Sequence, residues 1–225
     1  MTHIFLAGAS RGVGREMAKR LIIANYEVTA LLRHQTHNQI SVDELTAMGV
    51  NVVRGDALNA DEMKGAVAAA SPDAVISSIG GLPNDSGTRP DFEGNKNLID
   101  AAIASGTNRY ILISSIGSGN SACALPPQAL ETLGSVLKEK AQAEAYLATS
   151  SLTYTVIRPG GLISQPATDQ EVLTADPSVS GSIPRPGVAK LAVACLSSDR
   201  AHNQIFSAVD RSMLRSEKEF DVVEL

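Results

Sequence analysis

The chain lacks the means to cross-link itself, to hold a polyanion or to enter a membrane. Its two cysteines, Cys123 and Cys195, lie far apart in 225 residues, and their number and spacing give neither a disulfide framework nor a zinc site. The 19 lysines and arginines are outnumbered by 24 acids, for a formal net charge of −5, and they form no run. A nucleic acid or an anionic bilayer would need a concentrated basic patch, so neither is expected as a partner. No run of about 18 apolar residues is present, and Met1 leads straight into a strand-like segment with no signal-peptide pattern. Gly-x-Ser-x-Gly and Gly-Lys-Ser/Thr sequences are also missing, which removes hydrolase and nucleoside triphosphatase readings. These absences leave a cytoplasmic domain acting on a small molecule, as a monomer or a weak homo-oligomer.

What the sequence does have is enough apolar material for a sizeable core, at 44% hydrophobic and 19% charged residues. Short apolar runs at residues 3–8, 27–33, 51–54, 73–77, 109–114, 154–157 and 204–209 read as strands. Between them, residues 12–24, 42–48, 61–70, 92–104, 129–148 and 188–196 carry helical spacing. Strands separated by helices of this length pair in parallel, because each crossover must pass over the sheet. The expected fold is α/β, a doubly wound Rossmann-type parallel sheet in three layers, forming one domain over residues 1–225. Three segments rich in glycine, proline and serine, at about 80–90, 117–128 and 159–186, each follow a strand's carboxyl end. Open α/β sheets bind ligands there, so the three are expected to cover a substrate. The tail from Ser212 to Leu225 reads as charged and peripheral.

Between the first strand and the first helix stands Gly8-Ala-Ser10-Arg11-Gly12-Val13-Gly14. Glycines allow a tight turn and close backbone approach, and the helix end offers free N–H groups to a diphosphate. At the end of the second strand, where an NAD enzyme keeps an acid for the ribose 2′-hydroxyl, this chain has Arg33. Arg33, with Arg11 close by, suits a 2′-phosphate and selects NADP(H). Asp56, in Arg54-Gly55-Asp56-Ala57, is placed either to accept from an adenine amino group or to cap the following helix. His34 and His37 are three apart, but nothing is spaced to complete a metal shell, so no metal is expected. Cys123 and Cys195 read as reduced thiols, one in a loop and one in a core helix.

Taken together, the glycine turn, Arg33, Gly55-Asp56, Ser77-Ser78-Ile79-Gly80, Ser114-Ser115, Lys140 and Tyr154-Thr-Val-Ile-Arg158-Pro159-Gly160 resemble the short-chain dehydrogenase/reductase superfamily. The closest resemblance is to its atypical NAD(P)H-binding branch, which holds NmrA-like proteins and the biliverdin reductase B/flavin reductase group. It runs from about residue 3 to residue 210. It implies cofactor contacts at Ala57, Ser78, Ile79, Gly80, Ser114, Pro159 and Gly160. It also implies Lys140 at the nicotinamide ribose and Ser115 as a hydrogen-bond donor to acceptor or nicotinamide amide, the two together forming the catalytic pair. Ser115 has a structural alternative, a hydroxyl satisfied at the sheet edge, and Lys140 has solvent exposure.

Two departures from the family pattern shape the functional expectation. The residue four before Lys140, where common members carry a catalytic tyrosine, is Val136, and Asp91 stands where a supporting asparagine is usual. Reduction of an isolated ketone leaves a localised alkoxide, and a placed proton donor contributes ~10²–10⁴-fold there. A conjugated acceptor spreads the charge instead and takes its proton later from solvent. The expectation is therefore an NADPH-dependent reductase of a planar acceptor, with a flavin (FMN or FAD) first, as substrate and not as prosthetic group, and a biliverdin-like bilin second. The alternative is an NADP-binding sensor or assembly factor without turnover. Arg185, in Ile183-Pro-Arg-Pro186, is expected to meet a phosphate or propionate of the substrate, or else to tie the late loop to the last helix. Leu125, Ser164 and Gln165 are candidate wall residues.

Overall fold

The strongest apolar runs become strands covered on both faces. A computed structural model describes residues 1–34, 39–81, 88–215 and 219–225. Its first strand, β1 (His3–Ala7), is fully buried from Ile4 onward and stands at the middle of the sheet. Around it lie β2 (Glu27–Leu32), β3 (Asn51–Arg54), β4 (Ala74–Ser77), β5 (Arg109–Ile113) and β6 (Thr153–Pro159). The remaining strands are β7 (Gly161–Ile163), β8 (Glu171–Thr174), β9 (Ser182–Pro184) and β10 (Gln204–Asp210). The main sheet has the order β3-β2-β1-β4-β5-β6-β10-β8, and every neighbour pair is parallel except β10–β8.

The helices are α1 (Gly12–Ile23), α2 (Gln39–Ala47), α3 (Ala60–Ala70), α4 (Glu93–Ala104), α5 (Pro127–Ala148) and α6 (Arg185–Leu196). Helices α1 and α6 supply Met17, Leu21, Val188 and Ala192 to the core on one face of the sheet. Helices α3, α4 and α5 supply Met63, Leu98 and Leu147 to the core on the other. This is a three-layer, Rossmann-like α/β domain. The chain leaves β1 towards β2 and β3, then returns to β4 on β1's other side. That reversal opens a crevice at the carboxyl ends of β1 and β4, the place such sheets reserve for a ligand.

Three features differ from what the sequence suggests. Segment 159–186 is not an irregular loop: it holds β8, which is antiparallel to β10, and the separate parallel pair β7–β9. Its strands are only three or four residues long, too short for periodicity to declare them. Segment 117–128 contains a 3₁₀ turn, Gly119–Ala124, and α5 begins at Pro127, where a proline suits a helix's first turn. The tail is not wholly peripheral. The Val223 amide donates to the Leu173 carbonyl at 2.8 Å, and Phe220 and Val223 pack on the core. Residues 82–87 of the 80–90 segment lie outside the described residues.

Both thiols fall where expected, Cys123 exposed and Cys195 buried within α6. Burial pushes the Cys195 thiol up to about 12. Beside it the buried guanidinium of Arg109 donates to the Cys195 carbonyl at 2.9 Å and so satisfies the last turn of α6. A thiol titration is therefore expected to count one reactive cysteine in the native protein and two in denaturant. A native count of two would contradict the packing of α6.

Candidate active site

The turn after β1 is built from three glycines that do different things. Gly8 and Gly12 take left-handed backbone, with φ of +93° and +59°. Gly14 serves close approach: a Cβ placed there would lie 2.1 Å from the Gly8 carbonyl oxygen. Only hydrogen at position 14 lets α1 begin against β1. The N-cap residue of α1 is Arg11, whose side chain makes no cap, and the helix has no acid in its first turn. Its leading N–H groups and dipole thus face the crevice without a side-chain partner, a cradle suited to a diphosphate. Val13 is buried beneath the turn, Ser10 is half-buried and Arg11 is exposed. From β4, the Ser78 hydroxyl donates to the Ala7 carbonyl at 3.1 Å and locks the two strand ends together.

At the end of β2, Arg33 is exposed, and its carbonyl accepts from Arg54 Nη1 at 2.9 Å. The sequence reading passed over Arg54. The β2–β3 register pairs Leu32 with Arg54, which brings two guanidinium-bearing residues to one corner. His34 and Glu62 pair at 2.8 Å, and Glu62 also accepts from the Asp56 amide at 2.8 Å. The Asp56 amide first, and then the His34 ring, hold Glu62 below the usual carboxylate range. Asp56 itself accepts from the Leu58 amide at 3.0 Å, and the cap of α3 is Asn59, so the capping alternative for Asp56 does not hold. Ala57 is buried and its carbonyl accepts from Asn97 Nδ2 at 2.9 Å. His37 lies outside the described residues. Among the described residues no group of three or more His, Cys, Asp or Glu side chains is arranged to hold a metal.

Beyond β4 the chain builds a polar floor. Ser77 donates to Asn95 Oδ1 at 2.6 Å, and Asn95 Nδ2 donates to the Asp91 carbonyl at 2.8 Å. Asn95 is thus a second buried amide that the sequence reading missed. Lys140 is not a solvent-facing helix lysine: Nζ lies 3.1 Å from Asp91 Oδ1, and the Asp91 side chain is fully buried. The other Asp91 oxygen accepts from the Gly81 amide at 2.7 Å. A Cβ on Gly80 would lie 3.3 Å from Lys140 Nζ, which places the ammonium directly under the carboxyl end of β4. Ile79, between Ser78 and exposed Gly80, turns into the core.

After β5, Ser114 and Ser115 separate in role. The Ser114 hydroxyl donates to buried Glu144, which spends its proton inside the protein. Ser118 donates to the same Glu144 oxygen at 2.5 Å and to the Ser115 carbonyl at 2.7 Å. Glu144 is held in turn by Arg158, through Nε at 3.1 Å and Nη2 at 2.6 Å, and Arg158 Nη1 reaches Asn120 at 2.5 Å. This enclosed ion pair folds the turn that presents Ser115, whose hydroxyl donates to the Ile116 carbonyl at 3.0 Å and is half-buried.

On the other flank, Pro159 is buried and Gly160 is half-buried. A Cβ on Gly160 would lie 2.3 Å from the Gly181 carbonyl, so β6 passes close against the returning chain. Arg185, the first residue of α6, donates through Nη1 to Ser164 at 2.9 Å. Leu125 packs inward on the small cluster around Ile116, whereas Ser164 and Gln165 are exposed.

Against this geometry, residues 8–199 match a family model described as NAD(P)H-binding. A solved structure of the anaerobilin reductase ChuY from Escherichia coli O157:H7 is 30% identical, covers 97% of this chain and all of its own, and superposes with a TM-score of 0.83. The uncharacterized sugar epimerase YhfK of Bacillus subtilis is 30% identical over 212 residues, 92% of this chain and 94% of that protein. Sanguinarine reductase of Eschscholzia californica is 33% identical over 150 residues, 60% of this chain and 53% of the relative. The cradle around Gly8, Gly12 and Gly14, open only because no Cβ fills it, fits the diphosphate of such a dinucleotide.

Truncating Glu144 would leave Arg158 buried without a counter-charge. Glu144→Ala is expected to cost roughly 3–5 kcal/mol in urea unfolding. A loss below 1 kcal/mol would show the pair to be solvated in solution.

Proposed function

Because the chain belongs to the NAD(P)H-binding family, we propose that it is an NADPH-dependent reductase of planar conjugated acceptors. A linear tetrapyrrole ranks ahead of a free flavin (FMN or FAD). The nicotinamide, when bound, supplies the hydride. The observation that carries the reading is the Lys140 site itself. A lysine held by a buried aspartate stands at the carboxyl end of β4, and one turn earlier on α5 stands buried Val136. That turn offers a fixed positive charge and no hydroxyl acid. Such a site suits ribose hydroxyls, and it lacks the hydroxyl acid that ordinarily protonates a localised alkoxide as it forms. An acceptor whose charge delocalises needs no such donor. Two neighbours named as reductases, ChuY and sanguinarine reductase, support the class, and the full-length similarity to ChuY is our reason for ranking the bilin ahead of the flavin.

The preference for NADPH rests on the corner at the ends of β2 and β3. Arg33 and Arg54 meet there, while Glu62, the nearby acid, is engaged by His34 and the Asp56 amide. A bidentate guanidinium contact with a dianionic phosphate is the strong kind of hydrogen bond. In this reading Ser115, on the turn set by Glu144 and Arg158, turns its hydroxyl from the Ile116 carbonyl to the acceptor or the carboxamide when they bind.

Steady-state NADPH oxidation with biliverdin, FMN, FAD and quinones tests the proposal. Turnover with a conjugated acceptor and none with simple ketones is expected. Tight NADPH binding without turnover on any of them would instead mark a sensor or assembly factor. Arg33→Ala is expected to weaken NADPH binding roughly tenfold or more while leaving NADH nearly unchanged. Equal losses for both would remove the phosphate assignment. Lys140→Met is expected to raise the NADPH KM by roughly tenfold. An unchanged KM would take Lys140 out of the ribose site.

A further inference from the structure

We infer that Arg185 is a ligand of the dinucleotide diphosphate, clamping it from the side opposite the α1 cradle, and is not a substrate residue. The inference rests on the nucleotide reading above. Helices α1 and α6 pack side by side on one face of the sheet. Each runs back against the parallel strands, α1 from the end of β1 to β2 and α6 into β10, so both begin at the ligand edge. Neither helix has a side-chain cap at its start, and neither has an acid in its first turn. Glu171 abuts Gly187 in α6; its Oε1 accepts the Thr168 amide at 2.8 Å, and its Oε2 has Lys190 Nζ at 3.7 Å as counter-charge and, among the described residues, no hydrogen bond.

The position of Arg185 gives this pair of helix ends a direction. A Cβ on Gly12 would lie 3.8 Å from Arg185 Nε and 4.0 Å from its Cδ. The guanidinium therefore hangs over the second glycine of the turn. It donates to the hydroxyl of Ser164, and among the described residues no carboxylate stands within ion-pair distance of it. Arg158 and Arg89, by contrast, are each neutralised by a glutamate at 2.6 Å and 2.5 Å. A half-buried cation with only a neutral partner, set between two helix amino termini, is an arrangement that favours an anion. The anion that lies on a glycine turn is the diphosphate, which carries its charge irrespective of the ribose 2′ substituent.

A second consequence follows from Ser164. It comes directly after β7, whose partner β9 leads into Arg185 itself. The guanidinium thus joins the residue after β7 while lying beside Gly12, and Ser164 acts as a positioning residue that holds the fork in place.

Binding of NADPH, NADH and 2′-AMP to the full chain separates the possibilities, the last because it has no diphosphate. Arg185→Ala is expected to weaken NADPH and NADH by the same factor, roughly tenfold, and to leave 2′-AMP within twofold of the parent. Arg185→Lys, which keeps the charge and loses the fork, is expected to fall between the two. Ser164→Ala is expected to give a smaller loss, again equal for both dinucleotides. Unchanged dinucleotide affinity in Arg185→Ala and Arg185→Lys with a raised acceptor KM would overturn the assignment and return Arg185 to the substrate. A loss confined to NADPH would overturn it too, by moving Arg185 to the 2′-phosphate. If the parent protein bound neither dinucleotide, the underlying nucleotide reading would fail first, and visibly so.

Discussion

The site depends on one steric constraint, the contact between the start of α1 and the end of β1. With hydrogen at position 14, the helix begins against the Gly8 carbonyl; with any Cβ, the two would collide at 2.1 Å. That contact sets the direction of α1 and aims its uncapped N–H groups at the crevice between β1 and β4. Ser78 closes the same joint from β4, and a Cβ on Gly8 would meet its hydroxyl at 2.7 Å. Three residues from two strands and a helix are thus packed to backbone distance. The remaining groups are disposed around the turn that results.

Electrostatics around the turn are divided by depth. At the rim, exposed Arg33 and half-buried Arg54 converge at the ends of β2 and β3, with Arg54 donating to the Arg33 carbonyl. Inside, Lys140 is matched by Asp91 and Arg158 by Glu144, because a cation removed from water needs a counter-charge. The interior pair around Glu144 gathers Ser114, Ser118 and Asn120, and so fixes the turn that carries Ser115. Fully satisfied networks of this kind contribute geometry more than net stability.

Several candidate site residues are legible in the sequence because their signals are local. Gly8, Gly12 and Gly14 stand between an apolar run and a helical pattern, and Arg33 ends the next run, so position along the chain sufficed. Ser114 illustrates the limit. It lies at the carboxyl end of a buried strand, as a cofactor contact would, yet its hydroxyl is claimed by Glu144 from a helix 30 residues later. Arg54 and Asn95 were missed because their meaning comes from a neighbour across the sheet or across a loop. The short strands β7, β8 and β9 were missed because three or four residues carry no period to detect.

The sequence by itself determined the parallel α/β architecture, the glycine turn after β1 and the place of Arg33 at the end of β2. Each rests on spacing or on a residue's place within a single strand–helix unit. Only the tertiary structure decided which polar side chains are free and which are spent. It set Lys140 on Asp91, turned Ser114 inward to Glu144, brought Arg54 to Arg33 and hung Arg185 above Gly12. Those outcomes follow from strand order and helix packing, which bring together groups that no pattern along the chain connects.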